Sequence, residues 1–282
     1  MNTKFMLLQP RLGFCSWSVR PRHPADLVQA AHDIGLGQVQ LALDPFHEQP
    51  RVWETGWEAL RVAEVKIASG MVGCVGEDYS SIAAIHRTGG VLPDETWPAS
   101  WKNFQTVLPL AASAGITQIT MHAGFIPPDS GDPIYAKILD RMTQVADLFA
   151  TRGIVICLET GQEAAETLLA FLQRLKRPNV GINFDPANML LYGSGDPLSA
   201  LELLLPHVRS CHIKDAIRSP VKGEWGTEVP VGQGEVNWNG FFGILERQAF
   251  QGNLMIEREA GDQRIADIRT AVDKIAKVVA AA

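Results

Sequence analysis

Eight times along the chain a short apolar run gives way to a longer amphipathic stretch, and this alternation restricts the fold more than any other feature. The runs are Leu12 to Cys15, Gln38 to Leu43, Val65 to Val72, Gln118 to His122, Ile154 to Glu159, Val180 to Asp185, Val208 to Ile213 and Leu254 to Glu257. Each is rich in Val and Ile and bounded by glycine, proline or polar residues, the pattern of a strand buried on both faces. The stretches between them carry helix punctuation. Pro24 opens a helix that stops at Gly35, Phe104 to Ala114 stops at Gly115, and Pro133 to Arg152 stops at Gly153. Ala164 to Leu175, Pro197 to about Leu205, Trp238 to Gln248 and Ala266 to Val279 complete the series. Eight strand–helix units predict an α/β fold, a closed (β/α)8 barrel forming one domain over residues 1–282. An open doubly wound sheet is the alternative, weakened by the lack of GxGxxG after the first run.

Two connections exceed the usual few residues: 73–103, with a short helix expected from Asp78 to His86, and 216–237. Both follow a strand, so both belong on the C-terminal face of the barrel, where long loops act as lids and substrate walls.

The net charge of −6 comes with no dense run of Lys and Arg, which argues against a nucleic-acid partner. No segment offers 18 uninterrupted apolar residues, so no membrane span is expected. Phe5 to Leu8 is too short for a signal-peptide core, and the expected location is cytoplasmic. Cys15, Cys74, Cys157 and Cys211 form no CxxC pair and lie in or beside apolar runs, as buried small hydrophobes do.

Run five ends at Glu159, run six at Asp185 and run eight at Glu257, while run seven, RSCHIKD, places His212 and Asp215 near its end. In a barrel these C-terminal ends converge. One acid after a strand is ordinarily a helix cap, and one strand histidine is ordinarily a hydrogen-bonded core residue. Four such residues on consecutive strands are different. Three carboxylates and an imidazole facing one another would repel and desolvate badly without a cation. One divalent metal, Mn2+, Mg2+, Co2+ or Zn2+, fits oxygen ligands with one nitrogen.

The segments LET at Glu159, FDPANM from Phe184 to Met189, HIKD from His212 to Asp215, GQGEVNW from Gly232 to Trp238 and IERE from Ile256 to Glu259 resemble the xylose-isomerase-like superfamily of TIM barrels, specifically its sugar phosphate isomerase/epimerase group. The resemblance implies metal ligation by Glu159, Asp185, His212 and Glu257, with Glu159 and Glu257 as the two proton carriers. It also places Arg218 where ketose epimerases hold a substrate-contacting arginine. The chain departs from those epimerases at Asn188, where they carry a histidine. Asparagine can hydrogen-bond a substrate hydroxyl but cannot titrate, so the departure points away from a plain free ketose.

The expected function is that of a metal-dependent isomerase or epimerase of a sugar, sugar phosphate or inosose-like keto-sugar. The metal would act as Lewis acid and the two glutamates would exchange protons through an enediolate. A lyase or dehydratase on a keto-sugar or keto-inositol would use the same groups. An endonuclease IV-like phosphodiesterase would hold three metals with additional histidines, whereas few of the seven present sit at strand ends; turnover that survives loss of both Glu159 and Glu257 would favour a non-catalytic sugar-binding barrel. Around the metal, His122 is a candidate for substrate or metal water. Lys214 could polarise a carbonyl or hold a phosphate, and Asp215 could orient His212 through its other ring nitrogen. Trp17 and Trp225, with Trp97 and Trp101, are candidate substrate walls, whereas Trp53, Trp57 and Trp238 are expected to be structural. The partner is a small molecule, and a homo-oligomer is left open.

Overall fold

The computed structural model describes residues 3–281. Eight parallel strands close on themselves: β1 (Leu12–Cys15), β2 (Gln38–Ala42), β3 (Lys66–Met71), β4 (Gln118–Met121), β5 (Val155–Glu159), β6 (Val180–Phe184), β7 (Val208–Ile213) and, after the short hairpin strands β8 (Asp215–Ile217) and β9 (Thr227–Val229), β10 (Asn253–Ile256). The order around the barrel is β1-β10-β7-β6-β5-β4-β3-β2. Closure comes from β1 lying parallel to β10, with Phe14 opposite Ile256. Every residue of β1 and β6 is buried, because side chains pointing inward fill the barrel and those pointing outward meet the helices. The fold is thus a (β/α)8 TIM barrel, and the eight expected runs are its eight strands to within a residue at either end.

The helices hold their expected punctuation. Gly35, at φ +79, ends the helix Pro24–Ile34, and Asp132 caps Pro133–Ala150 by accepting from Ile134 N at 2.7 Å. No helix of the described residues is long and apolar enough to cross a membrane. The four cysteines are free and buried.

The first long connection is shorter than expected. Its internal helix is Ile82–Thr88, capped by Ser81, and the next helix already begins at Trp97 with Pro98 in its first turn. Trp97 and Trp101 therefore lie in this helix and not among the residues lining the cavity at the C-terminal end of the barrel. They pack together at 5.7 Å, and the Arg141 guanidinium lies 4.9 Å from the Trp97 ring. Gly90 pins this loop to the end of β4. At φ +63 its α-carbon sits so close to Ala123 that an added Cβ would fall 2.1 Å from the Ala123 carbonyl carbon. The second connection folds into the antiparallel hairpin β8–β9, with Asp215 opposite Val229. Pro186–Tyr192, directly after β6, is a further helix absent from the expected series.

Candidate metal centre

At the C-terminal end of the barrel, Glu159, Asp185, His212 and Glu257 each present one ligand atom, and these four atoms lie within 4.8 Å of one another. All four residues are buried. His212 Nδ1 is 3.3 Å from Glu159 Oε1, 3.4 Å from Glu257 Oε2 and 3.5 Å from Asp185 Oδ2. Atoms about 2.1 Å from a common ion stand roughly 3.0–3.5 Å apart when adjacent in a tetrahedral or octahedral shell, so these spacings suit one small divalent cation.

The orientation of His212 shows that the set fits a metal. Gln40, fully buried in β2, donates from its amide nitrogen to Thr120 Oγ1 at 2.8 Å and to the Gly70 carbonyl at 3.4 Å. Its Oε1 therefore faces His212 Nε2 at 2.7 Å and must accept from it. With the proton on Nε2, the neutral ring turns the bare lone pair of Nδ1 toward three carboxylates. Neither His212 Nδ1 nor Asp185 Oδ2 has a hydrogen-bond partner, although both are buried. A cation between them satisfies both. Cys15 Sγ lies 3.7 Å from His212 Nε2, on the Gln40 side, and burial pushes its thiol up to about 12, so it remains a neutral neighbour.

Each ligand owes its place to local chemistry. Asp185 is the N-cap of the helix Pro186–Tyr192: its Oδ1 accepts from Ala187 N at 2.8 Å and Asn188 N at 3.0 Å, which leaves Oδ2 for the centre. Capping thus uses one oxygen of the carboxylate and leaves the other for a metal. The Thr160 hydroxyl accepts from Asp185 N at 2.8 Å and ties the end of β5 to that of β6. Trp17 Nε1 donates to Glu257 Oε1 at 2.6 Å. Asn188 Nδ2 donates to Glu159 Oε1 at 2.8 Å.

Electrostatics differ across the cluster. Burial raises the Glu257 carboxyl, but Lys214 and His212 outweigh it and hold the group well below the usual carboxylate range. Glu159 is also lowered, burial being outweighed by His212 and His122. Asp185 is raised, chiefly by burial. Burial would lower His212, yet the facing carboxylates of Glu257 and Glu159, together with Asp185, raise it well above its ordinary value when no metal is bound.

The cavity above the cluster has a volume of about 630 Å³, and Trp17, His122, Asn188, Lys214 and Trp225 all contribute to its wall. His122 Nε2 stands 3.7 Å from Glu159 Oε2. Two expected residues take other places. Arg218 is not part of the wall, because its guanidinium donates to the Gly195 carbonyl at 2.7 Å. Asp215 does not orient His212. It accepts from Ala216 N, Val236 N, Gly232 N and Trp238 Nε1, at 3.0, 3.1, 2.7 and 3.0 Å, and so fixes the loop that follows the hairpin. Gln40 does the orienting. Its only trace in the sequence is that it is one of two glutamines in the buried strand QVQLA. Glu77 and Tyr79, from the loop after β3, and Glu228 and Glu259 complete the polar rim without having been expected.

Comparison with known proteins agrees with this architecture. A solved xylose isomerase domain protein from Planctomyces limnophilus superposes with a TM-score of 0.87 at 32% identity, covering 96% of this chain and 97% of that one. The 3-keto-D-glucoside 4-epimerase of E. coli shares the fold at a TM-score of 0.70 and 14% identity, over 95% and 99% of the two chains. An inosose dehydratase of Yersinia enterocolitica is 24% identical over 148 residues, 45% of this chain, which spans about half the length of that curated relative (49%). The family model described as "Xylose isomerase-like TIM barrel" matches residues 28–278, and the chain belongs to that family.

Proposed function

We propose that this protein is a divalent-metal-dependent isomerase or epimerase of a keto-sugar or keto-inositol. The observation that carries the reading is the unpartnered Nδ1 of His212, turned by Gln40 toward three buried carboxylates. Glu159, Asp185, His212 and Glu257 would hold the ion, Mn2+ being the first choice and Mg2+, Co2+ or Zn2+ the alternatives. When bound, it supplies Lewis acidity that polarises a substrate carbonyl and acidifies the neighbouring C–H.

The protein groups would do the rest. Glu159 Oε2 faces His122 at 3.7 Å and is the oxygen that Asn188 leaves unheld, so it would take a proton from the activated carbon. Glu257 stands across the cluster, held by Trp17 and Lys214, and would return a proton to the opposite face or to the neighbouring carbon. Asn188 would steady Glu159 through its amide while its carbonyl faces Lys214 at 3.3 Å. Trp225 and Tyr192, with ring centroids 4.6 Å apart, form an apolar flank against which a sugar face can lie.

The test is exchange of solvent deuterium into myo-inosose and neutral keto-sugars by the metal-reconstituted protein. Deuterium on a carbon beside the carbonyl is expected, falling by about 10²-fold or more in Glu159→Gln. Absence of exchange into every compound while metal is demonstrably bound refutes the proposal. Dehydration is the second reading, supported by Asn188 in place of a titratable group and by the inosose dehydratase relative. Loss of one water from the product mass would establish it.

A further inference from the structure

The charges around the cavity bear on which substrates can enter. Six carboxylates line it: Asp44, Glu77, Glu159, Glu228, Glu257 and Glu259. Asp185 lies behind them. Among the described residues, Lys214 is the one lysine or arginine in the wall. Its ammonium has three donors, and three acceptors surround it: Glu259 Oε2 at 2.7 Å, Glu257 Oε2 at 2.9 Å and Asn188 Oδ1 at 3.3 Å. Glu259 and Asn188 accept hydrogen bonds from it and Glu257 opposes it as an ion pair, so two carboxylates already offset the one ammonium a phosphate could meet.

The nearby arginines are engaged elsewhere. Arg258 is spanned by Glu228 at 2.7 Å and Asp267 at 2.8 Å. Arg264 donates to the Gly261 carbonyl at 3.1 Å, and Arg20 faces Asp262 at 4.0 Å; neither reaches the wall. Lys214, Arg258 and a divalent cation together offset four of the seven negative charges, so the cavity stays net negative even with metal bound.

Hydrogen-bonding capacity points the same way. Carboxylates accept, and hydroxyl groups of a polyol donate to them, whereas phosphate and carboxylate oxygens bring only further acceptors. Among buried groups in the wall, Trp225 Nε1, His122 Nδ1 and Glu257 Oε2 lack hydrogen-bond partners; a hydroxyl can donate to the carboxylate, and a neutral hydroxyl or carbonyl oxygen can satisfy the indole N–H.

We infer that this cavity, on the reading given under Proposed function, takes an uncharged polyhydroxylated substrate and rejects phosphorylated or carboxylated counterparts. A phosphate would meet like charge at short range in a partly desolvated space, with no arginine fork to receive it. The expectation that Lys214 could hold a phosphate is replaced by one in which Lys214 holds Glu257 and Glu259 in place.

Equilibrium binding tests this separately from turnover. Calorimetric titration of the metal-loaded protein would use D-fructose and myo-inosose as neutral probes, with D-fructose 6-phosphate and 3-dehydroshikimate as their anionic counterparts. The neutral members are expected to bind at least roughly tenfold more tightly, with the gap narrowing at high salt. In Glu77→Gln/Glu259→Gln, checked for folding by circular dichroism, the gap should narrow further. If that variant does not fold, the wild-type comparison and its salt dependence decide. An anion that binds as tightly as its neutral counterpart overturns the inference, and so does failure of both neutral probes to bind. Neutral binding without deuterium exchange would refute the proposed reaction and leave this inference standing.

Discussion

Replacing Gln40 with leucine would test what orients the metal-facing histidine. The substitution keeps the side-chain volume close and deletes the acceptor 2.7 Å from His212 Nε2. The N–H left behind is fully buried, a loss of about 1–3 kcal/mol. The ring can recover part of that loss by moving its proton to Nδ1, where three carboxylate oxygens wait at 3.3–3.5 Å. A proton there occupies the lone pair a metal requires. Metal affinity should therefore fall by about 10–100-fold, the range seen when the partner of a ligating histidine is removed. Competition with a chelating dye would measure it, alongside thermal unfolding in metal and in chelator. Gln40→Glu retains an acceptor for Nε2 and should keep most of the affinity. If Gln40→Leu lowers stability but binds metal within about twofold of wild type, Gln40 only fills the barrel and the tautomer reasoning fails.

Asp215→Asn should act on stability and leave the metal alone. It sets an amide among four donors that now point at a carboxylate, at a cost of about 2–4 kcal/mol. A drop in metal affinity as large as that of Gln40→Leu would show that Asp215 does orient His212. Metal binding should also release a proton, because the facing carboxylates raise His212 above its ordinary value in the metal-free protein. Near neutral pH, below that raised value, apparent affinity should rise about tenfold per pH unit. Calorimetry in buffers of different ionisation enthalpy counts the protons, and a count near zero would contradict the assignment.

The barrel strands were legible because burial on both faces makes each one a continuous apolar run, unlike anything in the helices. The four candidate ligands were legible because each lies at or beside the end of such a run. Asp185 shows why the cautious reading and the functional one need not compete: it is both an N-cap and a candidate ligand. Gln40 was hidden because its partner lies 172 residues away, across the barrel interior. Arg218 was carried over from the resemblance alone, and here it follows β8 in the β8–β9 hairpin, where its guanidinium meets the Gly195 carbonyl. Trp97 and Trp101 were assigned to a loop because the helix was started at Phe104, although it begins at Trp97, where Pro98 fits the first helical turn without losing a bond. The helix Pro186–Tyr192 carries a capping Asp, a first-turn Pro and a terminal Gly193 at φ +68, but six of its seven residues are buried, so it offers no amphipathic period to detect.

Strand order gives the site a division of labour. The four strands that carry the candidate ligands, β10, β7, β6 and β5, are consecutive around the barrel, so the centre sits toward one side. The opposite half, β1 to β4, contributes wall residues from its strand ends: Trp17, Asp44, Glu77 and His122. Loops on that half can change shape and charge without moving a ligand, which is how one barrel can serve different substrates. Two direct hydrogen bonds limit that freedom. Gln40 reaches from β2 to His212, and Trp17, just after β1, reaches to Glu257. One sets the face that a ligand presents and the other sets the position of a proposed proton carrier. Substrate-wall changes that spare Gln40 and Trp17 should therefore alter which molecule is bound, whereas changes to either should alter metal binding or proton transfer for every substrate alike.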